Sequence, residues 1–258
     1  MDTSAPAKPA RFNRFLPYWA VFQADVRQTL RSWVYRVWVL LSVLAAVGCL
    51  LYRFGAYRMA GMRPSASDLM SELLEWTVLG SVTLIIILTG GCISSERGTM
   101  ADSVLSRGIS RHQFFLGKWH ARLAAVLGTY FVLGGLVLAG GFLLLHDENL
   151  HPTGSLAALG TVAALLAIVI TCGVTISAIS NSTVLGIAAL WLVLYGTGFL
   201  LSLLPSRYPS PDRALRTLPN MLRGFYDPET VLRLIVGSVV VSLVIAAVGM
   251  FHFSRRDV

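Results

Sequence analysis

The sequence predicts an all-α polytopic membrane protein with six transmembrane helices. Three observations carry that prediction. The 258 residues are 55% hydrophobic and only 13% charged, with mean hydropathy +0.68, whereas soluble domains carry about 25% charge. Six apolar runs punctuate the chain: Val34–Leu51, Thr77–Ile93, Leu123–Leu145, Ala157–Ala178, Val184–Leu204 and Val231–Phe251. Each lies near the roughly 20 residues that a helix needs to cross a bilayer. The runs are continuous rather than alternating, which selects helices over a closed barrel, the other backbone arrangement satisfied in lipid. With these boundaries no Asp, Glu or Lys lies inside a span, and Arg36 and Arg233 sit near span ends, where they can snorkel to the interface.

Residues 1–11 are rich in Pro and Ala without periodicity and are expected to be disordered. Residues 12–33 are expected to form an amphipathic interfacial helix. Phe15, Trp19, Phe22, Val26, Leu30 and Trp33 recur at helical steps. Gln23, Asp25, Arg27, Gln28 and Arg31 fall mostly off that face, a pattern suited to the headgroup plane. The six-span domain then occupies residues 34–258. Its first run lacks a convincing small-residue cleavage site and reads as a retained span.

Ser67–Glu72 looks like the start of the helix feeding span two, which ends in Gly90 and Gly91. Span three is rich in glycine. Gly135 and Ala139 form a small-xxx-small pair, expected to serve packing within the chain. Ser180–Thr183 makes a tight hairpin between spans four and five. Pro205–Thr230 is the longest external stretch. Leu215, Leu218 and Leu222 at helical spacing, interleaved with Arg213, Arg216 and Arg223, predict a short external helix there. These arginines are candidates for contact with an external anionic group, although anchoring of the helix is the favoured role. Asp227-Pro228-Glu229 reads as a capped helix start for span six.

Lys and Arg report orientation. Thirteen fall on the side of the termini and eight on the other, which places both ends in the cytoplasm and the protein in an inner or plasma membrane. The positive charge flanks spans, so nucleic acid is not an expected partner, whereas membrane lipid is. Cys49, Cys92 and Cys172 all fall in or at the ends of spans and read as packing residues rather than disulfides.

The segment Glu96–Lys118, ERGTMADSVLSRGISRHQFFLGK, is a compact basic stretch between spans two and three. Ser94 or Ser95 can cap a helix whose first turn carries Glu96. Met100, Val104 and Leu105 form a small apolar stripe, Gly108 can end the helix, and Ile109, Phe114 and Phe115 begin a second apolar face. Arg111, Lys118 and Arg122 are expected to bracket the membrane surface. Physics alone leaves two readings open: a stiff knob that transmits a push to spans two and three, or a solvated basic loop that only orients the protein.

This segment resembles the cytoplasmic loop of ABC-2-type permeases, the membrane subunits of a class of ABC exporters. Glu96, Gly98, Thr99, Val104, Leu105, Ile109, Ser110, Arg111, Phe114, Phe115 and Lys118 match that family's pattern. Gly108 stands where a proline is usual. The ending FHFSRRDV is similar to the family's F-x-R-R-D close, and the lead-in helix, span number and long fifth loop agree with its layout. The resemblance implies a permease subunit moving substrate, as an exporter, by alternating access. It also implies a second permease subunit, as homodimer or heterodimer, and two copies of a separate ABC ATPase subunit. ATP and Mg would belong to that partner. The coupling helix would comprise Glu96, Gly98, Thr99, Met100, Val104 and Leu105 with Arg111 beyond it, and Asn181 would sit in a smaller second contact. A non-transporting membrane scaffold for a cytoplasmic partner is the alternative.

Other chemistry is missing from the sequence. The only lysines are Lys8 and Lys118, and neither lies in a G-x-x-x-x-G-K-[ST] phosphate loop, so no cofactor site and no enzyme activity are expected in this chain. No carboxylate or His falls in mid-span, which argues against a proton-coupled carrier. His146 and His151, with Asp147 and Glu148, are weak metal candidates that read more readily as a polar turn. Thr83, Thr89, Thr129, Tyr130, Thr171, Thr175, Tyr195 and Thr197 are the polar side chains available to line a path.

Overall fold

The computed structural model describes residues 15–60, 66–96, 109–145, 150–203 and 211–255. The expected disorder at 1–11 and most of the expected coupling helix, residues 97–108, lie outside the described residues. The described helices are α1 (Leu16–Arg31), α2 (Trp33–Ala60), α3 (Ala66–Thr89), α4 (Arg111–Gly140), α5 (Pro152–Ile179), α6 (Thr183–Ser202), α7 (Pro211–Arg216), α8 (Leu218–Leu222) and α9 (Pro228–Arg255). There is no strand among the described residues. Six of these helices, α2 to α6 and α9, are long and apolar enough to cross a membrane. The chain is therefore an all-α, multi-span membrane protein.

Local sequence explains where the helices begin. Ser110 and Gln113 form a capping box at α4: Gln113 N–H donates to Ser110 Oγ and Ser110 N–H donates to Gln113 Oε1, each at 3.2 Å. Pro152 opens α5, where its missing N–H costs nothing. Asp227 accepts from the backbone N–H groups of Glu229 and Thr230, both at 3.2 Å, and from the Thr230 hydroxyl at 2.5 Å. The Thr230 hydroxyl, followed by these amides, holds the Asp227 carboxyl below its ordinary range. The cap is thus intact at neutral pH and fades only as pH falls through that lowered value.

Helix α5 is the hub. It runs against α9, α4, α3 and α6, and its first turn meets α8. Two glycines permit these approaches. A Cβ on Gly173 would overlap the Thr89 hydroxyl of α3, and one on Gly154 would overlap the Met221 carbonyl oxygen of α8. The buried core gathers Leu74, Ile85, Phe115, Val126, Tyr130, Val162, Leu166, Ile170 and Leu218. Phe253, near the end of α9, packs on Phe114 and Phe115 of α4 with ring centroids 6.3 and 6.4 Å apart. By contrast α2 and α6 lie at the edge. Only 11% of the apolar window of each is buried by the rest of the chain.

Three expectations change. Span three does not begin at Leu123; the capping box starts α4 at Arg111, so Phe114, Phe115, Lys118 and Arg122 belong to its first turns. Gly135 and Ala139 are exposed, with open space where a Gly135 side chain would go. Gly134, Gly140 and Gly141 provide the close contacts instead, against Leu159, Leu50 and Met70. The single external helix is two short ones, α7 and α8.

Candidate functional site

A cluster of four charged side chains lies where the 97–108 segment joins the bundle. On α1, Asp25 and Thr29 are one turn apart and share a face; on α4, Lys118 and Arg122 do the same. The two faces meet. Lys118 Nζ lies 3.0 Å from Asp25 Oδ1 and 2.8 Å from Glu96 Oε1. Arg122 approaches both oxygens of Asp25, with Nε 3.0 Å from Oδ2 and Nη2 3.1 Å from Oδ1. Its Nη1 donates to Thr29 Oγ1 at 2.8 Å, and Thr29 Oγ1 donates to the Asp25 carbonyl at 2.8 Å. Lys118 also stands 5.3 Å from the centre of the Phe114 ring.

Burial sets the energetics. The Asp25 and Lys118 side chains are each 2% exposed and Arg122 7%, whereas Glu96 is 32% exposed. Two acids face two bases, so the cluster is neutral; Arg122 makes one hydrogen bond to the Asp25 carboxylate, Nη2 to Oδ1, and its Nε stands at ion-pair distance from Oδ2 without hydrogen-bond geometry. Removing one partner from a buried set leaves an uncompensated charge and costs about 3–5 kcal/mol. Lys118 and Arg122 are thus not the surface cations that the sequence suggested. The reason is α1: it carries an acid toward α4, and the pairing offsets desolvation.

The arrangement gives α1 three faces. Asp25 and Thr29 face α4. Phe15, Trp19, Leu30 and Trp33 form an exposed apolar and aromatic side running into the following elbow, and Arg27 and Arg31 an exposed basic side. Those three faces fit a helix lying in a membrane interface with one flank fastened to the bundle. Tyr18 adds a second fastening, its hydroxyl 3.1 Å from His120 Nδ1.

The end of α3 is held as firmly. The N–H groups of Ile93 and Ser94 both donate to Ser177 Oγ of α5, at 2.9 and 3.2 Å, and Ser95 Oγ donates to the Gly91 carbonyl at 2.5 Å. Ser94 and Ser95 thus bond back toward the bundle. A turn of 3-10 helix, Ser94–Glu96, closes this end. Thr183, at the start of α6, shares a mixed recess of 280 Å³ with Thr29, Ser95, Glu96 and Arg122 and with the apolar Ile87 and Leu88. The hairpin carrying exposed Asn181 is therefore at the same end of the bundle as Glu96. Arg111 is there too, with Nη1 donating to the Ser254 carbonyl at the end of α9, 3.3 Å away.

Of the proposed coupling residues, the structure brings Glu96, Arg111 and Asn181 to one end. Gly98, Thr99, Met100, Val104 and Leu105 lie outside the described residues. Sequence reading missed Asp25, Thr29, Lys118 and Arg122 as a unit. The available signal was the matched i, i+4 spacing of Asp25 with Thr29 and of Lys118 with Arg122.

The other candidates are at the opposite end or in the interior. Arg223 Nε donates to Ser67 Oγ at 2.8 Å, fastening α8 to α3, and Arg216 is exposed. The side chain of Arg213 lies outside the described residues. His151 Nδ1 is 2.8 Å from the Thr153 hydroxyl, and its ring packs where Gly224 turns with φ +83°. His146, Asp147 and Glu148 lie outside the described residues; among the described ones no group of three or more His, Cys, Asp or Glu could hold a metal. The polar side chains expected to line a path divide in two. Thr89, Tyr130, Thr171 and Thr175 are buried within the chain, where Trp119 Nε1 donates to Thr171 Oγ1 at 3.0 Å and Thr175 Oγ1 to the Ile245 carbonyl at 3.2 Å. Thr129 pairs with the Tyr35 hydroxyl. Thr83, Tyr195 and Thr197 are exposed on the outside of the bundle.

No protein-family model matches the chain, and no curated protein matches it. Its function is read from its own residues.

Proposed function

We propose that this chain is the membrane-spanning permease subunit of an ATP-driven transporter of the ABC exporter kind, worked by a separate ATPase. The observation that carries the proposal is the ion cluster at the base of the 97–108 segment. Glu96 stands where that segment leaves α3, and Lys118 lies two turns inside α4, on the other side of it. Their 2.8 Å pair closes the base, and Asp25 extends the same contact to α1. A force on the segment would reach three elements at once rather than dissipate in a loop.

Two further features support the reading. The sequence holds no P-loop, so an ATP-driven chain of this kind needs an engine from outside. In the interior Thr171 and Thr175 serve helix contacts, while α2 and α6 keep most of their surface for other contacts. A substrate path would then form between two permease subunits rather than through one. On this reading both termini, Asn181 and the coupling segment face the cytoplasm. ATP-driven closure of two ATPase subunits pushes the segment, and α1, α3 and α4 move together to switch access.

The test is purification of the tagged chain from its native membrane in mild detergent. The expected result is a P-loop ATPase in near-equal amount, with hydrolysis that depends on this chain. A different soluble partner in equal amount, with no ATPase, supports a scaffold and overturns the proposal.

A further inference from the structure

Below α1 an apolar furrow runs between α2 and α4. Its volume is 440 Å³, within the range of pockets that hold a single small molecule. Val26 and Leu30 of α1 form its upper wall, Val39 of α2 one flank, and Gly128, Val132 and Leu136 of α4 the other. A smaller recess lined by Val43, Leu50 and Val137 shares Leu136 and carries the furrow deeper. Along α4 the lining spans Ala124 to Val137, about 20 Å at ~1.5 Å per residue. One leaflet of hydrocarbon is roughly 15 Å deep. The furrow is thus as long as one leaflet and lies along two spans. Its polar atoms are used up: the Tyr35 hydroxyl and Thr129 Oγ1 bond to each other. A Cβ on Gly128 would meet nothing within 4 Å, so the glycine leaves the floor open.

Arg36 stands at the mouth of the furrow. Between residues 15 and 36 the charged residues are Asp25, Arg27, Arg31 and Arg36, and Asp25 is consumed by Lys118 and Arg122. Arg36 sits at the elbow between α1 and α2, with Nε 3.3 Å from the carbonyl of Leu30, a residue of the upper wall. Arg27 and Arg31 are exposed on the same helix. An apolar slot one leaflet deep, with Arg36 at its upper wall and two more arginines exposed on α1, matches a molecule with a long hydrocarbon tail and an anionic head.

We propose that this furrow is a binding site for one anionic phospholipid, with an acyl chain along Gly128, Val132 and Leu136 and the phosphate at Arg36. The bound chain fills the space under α1 and supports the helix from below, while the ion cluster holds its flank. This site is separate from the proposed ATPase contact, and its test does not need the partner.

The experiment is native mass spectrometry of the full chain after exposure to phosphatidylglycerol or phosphatidylcholine. The wild-type chain is expected to retain one phosphatidylglycerol in preference to phosphatidylcholine. Gly128→Leu places a side chain in the slot and is expected to cut retention about tenfold, the loss of roughly two buried methylenes. Gly135→Leu, also exposed on α4 but outside the furrow, is the control for folding and is expected to retain lipid normally. Arg36→Gln is expected to keep the lipid and lose the preference for phosphatidylglycerol. Glycerol phosphate, the head without the chain, is expected not to compete. Equal retention by Gly128→Leu and wild type overturns the proposal. So does equal loss in both glycine variants, displacement by glycerol phosphate, or a Gly128→Cys disulfide between two copies in lipid-depleted protein, which would put a second copy in the slot.

Discussion

Asp25 and Glu96 share one ammonium but not one environment. Asp25 is closed in between Lys118 and Arg122, while Glu96 reaches Lys118 from a third-exposed position. Asp25→Ala is therefore expected to destabilise the chain by about 3 kcal/mol or more, because two cations lose their counter-charge in the interior. Glu96→Ala is expected to cost about 1 kcal/mol or less, since solvent screens that contact. Thermal unfolding of the detergent-solubilised variants checks this; equal losses would mean that the cluster is wetter than its geometry implies. None of this depth was legible in the sequence. Asp25 was visibly off the apolar face of α1, but an acid off that face reads equally well as solvated. Its partners, Lys118 and Arg122, stand more than ninety residues away, so only the docking of α1 on α4 makes the three a unit.

Helix existence was legible at the scale of elements, because long apolar runs have no other solution in lipid. Helix beginnings were less so. The eye stops a span at its last charge, which put Lys118 and Arg122 outside, whereas the Ser110–Gln113 box starts the backbone earlier and lets the charges pair inside. Glycine roles were illegible for a related reason: sequence shows that a residue is small, not what approaches it. The structure separates Gly154, pressed on the Met221 carbonyl, from Gly48, which faces open space. Alanine is the better helix former by up to about 1 kcal/mol. Gly48→Ala is therefore expected to be neutral or stabilising. Gly154→Ala is expected to cost about 1–3 kcal/mol by pushing α8 from α5. Unfolding midpoints of the two variants decide it, and a stable Gly154→Ala would show that α8 docks loosely.

In the whole molecule, several element ends meet at one end of the helical body. α1, the end of α3, the start of α4, the Asn181 hairpin and the end of α9 gather there. In the proposed complex, changes in Gly98, Leu105 or Arg111 are expected to leave the spans folded and ATP hydrolysis running while transport falls at least tenfold, about 1.4 kcal/mol of coupling. Transport and hydrolysis measured together in vesicles test this, and wild-type coupling in all three variants would count against it. The resemblance of Glu96–Lys118 to a permease loop was legible in the sequence; the ion cluster that carries the proposal is legible only in three dimensions.

In the proposed complex a partner sits on the segment between Glu96 and Arg111. The most direct measurement of this is the labelling rate of a Met100→Cys variant by an impermeant maleimide in inside-out vesicles, before and after peripheral proteins are stripped. The three native cysteines lie in or at the ends of membrane-length helical segments and are half-buried or buried, so the new thiol dominates the signal. The account predicts slow labelling in native vesicles and a rise of about tenfold or more on stripping, the signature of a seated partner. Fast labelling that stripping does not change would contradict it.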